Sequence, residues 1–190
     1  MKLLIVDNND SFTWNLVQLA QEAGAPVTDV VRGDDLDYQL PGEYDKICFS
    51  PGPGLPEEFP AMQKILQQWP QKSILGVCLG LQAIGLHFGA RLVNMDEVKH
   101  GRQVSVNITG SDYLFQTLGD RFEAGLYHSW VLSGEEFPQQ LVITAMYGSR
   151  IMAIRHRSLD IHGVQFHPES IMTPHGITIM SNWLRGRQAT

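Results

Sequence analysis

The sequence predicts an α/β fold: an open, mostly parallel sheet flanked by helices and extended by additional antiparallel strands. Three observations lead there. Short apolar runs alternate with amphipathic helical patterns through the first half of the chain, the mark of parallel strands joined by crossover helices. The second half is a succession of short β-like runs with little helical pattern between them. With 190 residues, 43% hydrophobic and 18% charged, the chain has the size and composition of a single globular domain, residues 1–190.

The first strand falls at residues 3–6, before a helix in which Leu16, Leu19, Ala20 and Ala23 repeat at i, i+3, i+4 and i+7 and Gly24 marks the stop. Strands follow at 27–31 and 47–49. A second helix repeats the stripe with Met62, Ile65, Leu66 and Trp69 before Pro70, and both stripes are read as facing the core. Residues 74–77 form a strand that feeds a third helix at 79–88, ended by Gly89. Beyond it, β-like runs occur at 91–93, 104–108, 122–127, 141–145, 151–154 and 164–166, and a last amphipathic helix is expected at 177–184.

Charge and composition narrow the function classes. The net charge is -6 and no block of Lys or Arg rises from that background to meet phosphates, so nucleic acid is not an expected partner. The apolar run near the N-terminus is too short for a signal h-region, and nowhere do 18 apolar residues run together, so neither export nor a membrane span is expected and the chain is placed in the cytoplasm. Two cysteines, Cys48 and Cys78, are too few for a disulfide scaffold or a zinc site on paired thiolates.

Cys78 stands in Gly76-Val77-Cys78-Leu79-Gly80, where a strand runs into a helix: G-x-C-x-G, the thiol version of a nucleophile elbow. A sharp strand-to-helix turn leaves no room for Cβ atoms beside the nucleophile, which explains the glycines. The helix N-terminus favours the thiolate that does the attacking. The plainer alternative is that Cys78 is a small buried apolar residue. Cys48 lies inside an apolar run without a glycine turn and is read as core.

A thiolate that expels a leaving group needs a proton donor, and Gln165-Phe166-His167-Pro168-Glu169-Ser170 offers a His and a carboxylate two residues apart. If the chain is extended there, both point to one side, and Glu169 can hold one nitrogen of His167 while the other faces Cys78. A surface turn that happens to contain His-Pro-Glu is the alternative. Ser50-Pro51-Gly52-Pro53-Gly54 leaves the end of a strand, where α/β proteins place ligands. Its prolines lack N–H groups, so it suits a rigid turn presenting one or two glycine amides better than a phosphate nest; with the Leu79 amide it would form an oxyanion hole. Of seven histidines, His156, His162, His167 and His175 crowd the C-terminal part, but His162 and His167, five apart on an expected strand, would face opposite ways, so no metal site is expected.

Taken in order, the segments 50–54, 76–82 and 165–170 resemble those of class I, triad-type glutamine amidotransferases, which share a flavodoxin-like core. The opening Asp7-Asn8-Asn9-Asp10-Ser11-Phe12-Thr13-Trp14-Asn15-Leu16, with Lys99-His100-Gly101-Arg102 and Tyr127-His128-Ser129, is similar to the glutaminase subunits of anthranilate synthase and of aminodeoxychorismate synthase. The resemblance implies that Cys78, His167 and Glu169 form the catalytic triad and that Gly52 and Leu79 offer oxyanion amides. It also implies that Gly52, Pro53, Gly54, Gln82, Ser129 and Trp130 contact glutamine. No cofactor is implied for this chain; the implied partner is a chorismate-binding synthase subunit that needs Mg2+, and the segments around Asp10 to Trp14 and Lys99 to Arg102 are candidate contacts with it. The product is anthranilate for tryptophan, or 4-amino-4-deoxychorismate for folate, or both. Two positions depart from the family pattern: Leu81 stands where His is usual, and Trp130 where Leu is usual. Competing readings are a stand-alone cysteine hydrolase and a non-enzymatic module that binds a phosphate at the 50–54 loop.

Overall fold

The computed structural model describes residues 1–95 and 101–186. In chain order the strands of the first half are β1 (Lys2–Asp7), β2 (Val27–Arg32), β3 (Lys46–Phe49), β4 (Ser73–Val77) and β5 (Leu92–Asn94). Those of the second half are β6 (Arg102–Ile108), β7 (Arg121–Leu126), β8 (Trp130–Leu132), β9 (Leu141–Tyr147), β10 (Arg150–His156) and β11 (Ile161–Val164). The helices are α1 (Thr13–Glu22), α2 (Pro60–Gln68), α3 (Leu79–His87) and α4 (Gly176–Arg185).

Nine strands form one sheet in the order β2-β1-β3-β4-β11-β10-β9-β6-β7. The first five are parallel and the remainder antiparallel, as the alternating first half and strand-rich second half predict. Because the parallel strands are covered on both faces, β1, β3 and β4 read as unbroken apolar runs whose successive residues enter opposite cores. Leu3, Ile5, Cys48 and Leu75 pack beneath α1 and α4, whereas Leu4, Val6, Ile47, Phe49 and Ile74 pack beneath α2 and α3. Burying a side chain such as Phe49 or Leu3 contributes about 1.5–3 kcal/mol relative to exposure. Leu16, Leu19 and Ala20 of the first predicted stripe and Met62, Ile65 and Leu66 of the second are buried as expected.

Two departures have local causes. The strand predicted at 164–166 runs instead from Ile161 to Val164: β4, its parallel neighbour, turns away after Val77, and Gln165 and Phe166 lose that edge. Trp130–Leu132 is a strand that alternation could not reveal, because it is only three residues long and pairs with β5 alone in a separate two-stranded sheet. Lys99 and His100, two of the proposed partner contacts, lie outside the described residues.

At the end of β11 away from Cys78, His162 is buried between two carboxylates. Its Nδ1 lies 3.0 Å from Asp112 Oδ1 and its Nε2 3.1 Å from Asp160 Oδ1. Tyr113 donates to Asp160 at 2.6 Å and stacks edge-on against the imidazole, and Thr144 donates to Asp112. Burial pushes the His162 pKa down, but the hydrogen bonds to Asp112 and Asp160 outweigh it and the pKa is raised. A group whose folded pKa lies above its unfolded value stabilises fully below the unfolded pKa, about 6.5, and progressively less as the pH rises through the folded pKa. His162→Leu strands the buried Asp112 carboxylate and is expected to cost about 3–5 kcal/mol in urea unfolding. The gap from the parent protein should narrow as the pH is raised above about 6.5; a gap independent of pH overturns this account.

Candidate active site

The site is assembled where the C-terminal ends of β3, β4 and β11 lie side by side. Past Val77 the chain turns sharply into α3, and Cys78 at the turn has φ 53° and ψ -100°, in the left-handed region that side chains other than glycine rarely adopt. The surrounding close contacts enforce that turn. A Cβ on Gly76 would overlap the Gly80 carbonyl group, and one on Gly80 would come within 2.8 Å of Phe49 Cβ and 2.9 Å of Phe49 O. Cys78 is the N-cap residue of α3, and its own N–H donates to the Val164 carbonyl of β11 at 2.8 Å. The thiol therefore faces the open amides of a helix N-terminus beside the segment that carries His167.

His167 and Glu169 come together, though not by the extended geometry expected of them. His167 lies beyond the strand, and its carbonyl accepts from the Ser170 N–H at 3.2 Å, so Pro168 and Glu169 form a turn that folds the carboxylate back onto the ring. His167 Nδ1–H donates to Glu169 Oε1 at 2.6 Å, which leaves Nε2 as the nitrogen for Cys78. Position and tilt are fixed further by Thr173 Oγ1 donating to the His167 carbonyl at 2.6 Å and by edge-on contacts with Tyr127 and Phe12. Gly176 completes the clamp, since a Cβ there would overlap the Pro168 carbonyl. Burial lowers the His167 pKa, but the charge and hydrogen bonding of Cys78, followed by those of Glu169, raise it well above the ordinary value.

The turn 50–54 is pinned to β1. Asn8 N–H donates to Ser50 Oγ at 2.9 Å, and Asn8 Nδ2 to the Ser50 carbonyl at 2.8 Å. Gly52 has no room for a side chain: a Cβ would come within 2.5 Å of Leu79 Cδ2 and 2.9 Å of Asn8 Cβ. A cavity of about 290 Å³ opens between this turn and the elbow, and Cys78, Leu79 and Gln82 line one side of it. Gly52, Pro53, Gly54, Ser129 and Trp130 line the rest, so the structure brings together all the residues proposed to contact glutamine, while His167 and Glu169 do not line it. Leu55, Tyr127 and His128 also line the cavity. Tyr127 and His128 precede Ser129 in a segment noted for its resemblance, whereas no pattern marked Leu55. Leu81, which departs from the family pattern, points into the core beneath α2 and α3 and packs against Gly163, so it does not touch the cavity. Trp130 lines it, and its carbonyl accepts from Gln82 Nε2 at 2.9 Å.

Cys48 is core, as read, and burial pushes its thiol pKa up. Among the described residues no group of three His, Cys, Asp or Glu side chains is placed to hold a metal ion, and no helix is long and apolar enough to cross a membrane. His162 and His167 are separated because only His162 is on the strand.

A cysteine on a strand-to-helix elbow, backed by a buried His–Glu pair and facing a small cavity, is the arrangement of a thiol-nucleophile enzyme. The chain belongs to the class-I glutamine amidotransferases: the model of that family matches residues 4–186. A Mycobacterium tuberculosis protein named anthranilate synthase component 2 is 44% identical over 191 residues, covering 97% of this chain and 82% of that protein. An Escherichia coli protein named aminodeoxychorismate synthase component 2 is 39% identical over 189 residues, covering 96% of this chain and 98% of that protein. Among solved structures, a Thermoplasma acidophilum protein provisionally assigned to GMP synthase superposes with a TM-score of 0.87 at 25% identity, covering 97% of this chain and 92% of that one.

The two thiols differ enough to be separated chemically. Iodoacetamide added to the folded protein is expected to label Cys78 and leave Cys48 unmodified until urea unfolds the chain, as read by peptide mass spectrometry. Equal labelling of both in the folded state contradicts the arrangement.

Proposed function

We propose that this amidotransferase is the glutaminase subunit of a chorismate-utilising synthase, hydrolysing glutamine to glutamate and delivering the ammonia to a separate chorismate-binding subunit for anthranilate synthesis. The reading is carried by one observation: a His167–Glu169 pair at 2.6 Å set beside Cys78, in a chain 44% identical to a protein named anthranilate synthase component 2.

Each residue has a role in the proposed sequence. The Cys78 thiolate attacks the glutamine carboxamide carbon, and the C=O electron pair moves onto oxygen, where the amides of Gly52 and Leu79 receive it. His167 Nε2–H gives its proton to the departing nitrogen, the C–N bond breaks, and ammonia leaves a γ-glutamyl thioester on Cys78. A water then attacks the thioester carbon while its proton passes to Nε2. The C–S bond breaks, glutamate departs, and the thiolate–imidazolium pair is restored. Glu169 keeps Nδ1 protonated throughout, so Nε2 alone exchanges protons. Gly54, Pro53, Gln82, Ser129 and Trp130 surround the rest of the amino acid in a cavity of suitable volume.

The partner subunit would supply the chorismate site and its Mg2+, leaving this chain without a cofactor, and the complex would work in the cytoplasm. Trp14, with 68% of its surface exposed on α1, and Phe12, which packs on His167, make the 10–14 segment a candidate docking edge that adjoins the chemistry. Gly101 and Arg102 are exposed as well. The same role in 4-amino-4-deoxychorismate synthesis is the second reading, supported by the 39% identity to the E. coli relative.

Glutamate release should rise sharply when the chorismate-binding partner is added and vanish in Cys78→Ala. Glu169→Gln is expected to lower kcat about a hundredfold or more with little change in KM. An undiminished Glu169→Gln rate removes that residue from the triad, and a rate indifferent to partner favours a stand-alone hydrolase. The aminated product of the complex, separated by chromatography, distinguishes anthranilate from aminodeoxychorismate. Trp14→Ala should weaken association with the partner by roughly tenfold in Kd, equivalent to about 1.4 kcal/mol, and an unchanged Kd excludes the 10–14 edge.

A further inference from the structure

We infer that Gln165 is a further catalytic residue of this site: its side-chain amide donates to Cys78 Sγ, holding the sulfur aimed and in its charged form, while Gln82 fixes which end of that amide faces the thiol. The inference rests on Cys78 being the nucleophile.

Gln165 is fully buried just past the end of β11, where its backbone N–H is held by the Met152 carbonyl at 2.8 Å. Its Nε2 lies 3.6 Å from Cys78 Sγ, within hydrogen-bond reach of a large sulfur acceptor. An amide can be turned end for end, so the direction of the bond must come from its surroundings. The chain of contacts supplies it. The Trp130 backbone carbonyl can only accept, which obliges Gln82 to present its NH2 there, at 2.9 Å. The second hydrogen of that NH2 points to Gln165 Oε1 at 3.4 Å. Gln165 is then left with its NH2 toward the sulfur. Turned the other way, it would set NH2 against NH2 at Gln82 and a carbonyl oxygen against the thiolate, so both contacts would become repulsive.

Among the described residues, the ionisable groups around Cys78 are His167, backed by Glu169 and packed against Tyr127, and Tyr127 and His128, which line the same cavity as the thiol. Gln165 approaches from outside that pair and carries no charge. It therefore stabilises the thiolate without competing for the proton that His167 must deliver. A neutral donor also stays in place when the sulfur becomes part of the thioester, where a cation would be left uncompensated in a buried position.

The test is the pH dependence of iodoacetamide alkylation at Cys78, read by peptide mass spectrometry in the full-length chain, with Gln165→Met as a near-isosteric variant without a donor. The pH midpoint of alkylation should rise by about one unit and the rate near neutrality fall about tenfold, with the plateau at high pH unchanged. The glutaminase kcat/KM should fall by a similar factor, with its acidic limb displaced by the same amount and KM changing less. Gln165→Leu is the second variant, and whichever folds by circular dichroism decides. An unchanged midpoint in a folded variant overturns the inference, even if activity is lost. Because alkylation needs neither glutamine nor partner, a midpoint that moves in a protein without glutaminase activity even when the partner is bound would uphold the Gln165–Cys78 contact and sink the glutaminase-subunit reading instead.

Discussion

Everything at this site depends on the parallel pairing of β4 with β11. The two strands are far apart in sequence, yet their registry sets Val77 against Val164 and lets the Cys78 N–H donate to the Val164 carbonyl at 2.8 Å. Beyond that last bond the strands diverge: β4 turns into α3, and β11 gives way to the loop of Gln165 and His167. A shift of one residue in registry would move Cys78 relative to its proton donor by about 3.3 Å and turn its side chain to the other face. Burial of both faces is what forbids such a slip, since it would invert every inward-pointing side chain of the strand.

Within that frame, the elbow is held by close contact as well as by hydrogen bonding. A non-glycine residue at positive φ costs on the order of 1–3 kcal/mol, and the chain keeps Cys78 there because its alternatives are closed. Gly76 lies on the Gly80 carbonyl and Gly80 lies on Phe49, so strand, turn and helix are pressed together without side chains between them. The same pressure reaches the neighbouring turn, where Gly52 fits between Leu79 and Asn8. Cys78 and the 50–54 turn are thereby positioned by one packed unit, which links the sequence signature G-x-C-x-G to the geometry of the cavity.

Much of this was legible in the sequence because the relevant signals are local. Apolar runs and helical stripes depend on neighbouring residues, and they located four parallel strands and four helices with ends displaced by a few residues. Cys78, His167 and Glu169 were legible through glycine spacing and the His-Pro-Glu sequence, although the physical route from His167 to Glu169 is a turn and not an extended strand. What escaped was set by long-range pairing. Trp130–Leu132 is a strand only because Leu92–Asn94 lies opposite it, and Phe166 leaves the sheet only because β4 turned first. Gln165 belongs with these: within a recognised motif, it has no assigned purpose until the fold brings Gln82 and Cys78 to its two ends.

The two buried histidines of this segment show how one side chain is directed to opposite ends. His162 has a carboxylate on each ring nitrogen, Asp112 and Asp160, which favour its protonated form and tie two loops to the sheet. His167 has a single carboxylate, Glu169 on Nδ1, and its other nitrogen faces a thiol that can itself carry charge. Both imidazoles are drawn toward the protonated form, for different reasons and with different consequences. At His162 a proton leaves only by breaking a buried ion pair, whereas at His167 the proton on Nε2 would, in the proposed mechanism, be balanced by a thiol that changes charge as the reaction advances. The number of fixed acids around an imidazole, rather than its burial or its pKa direction, separates a structural histidine from one able to shuttle protons.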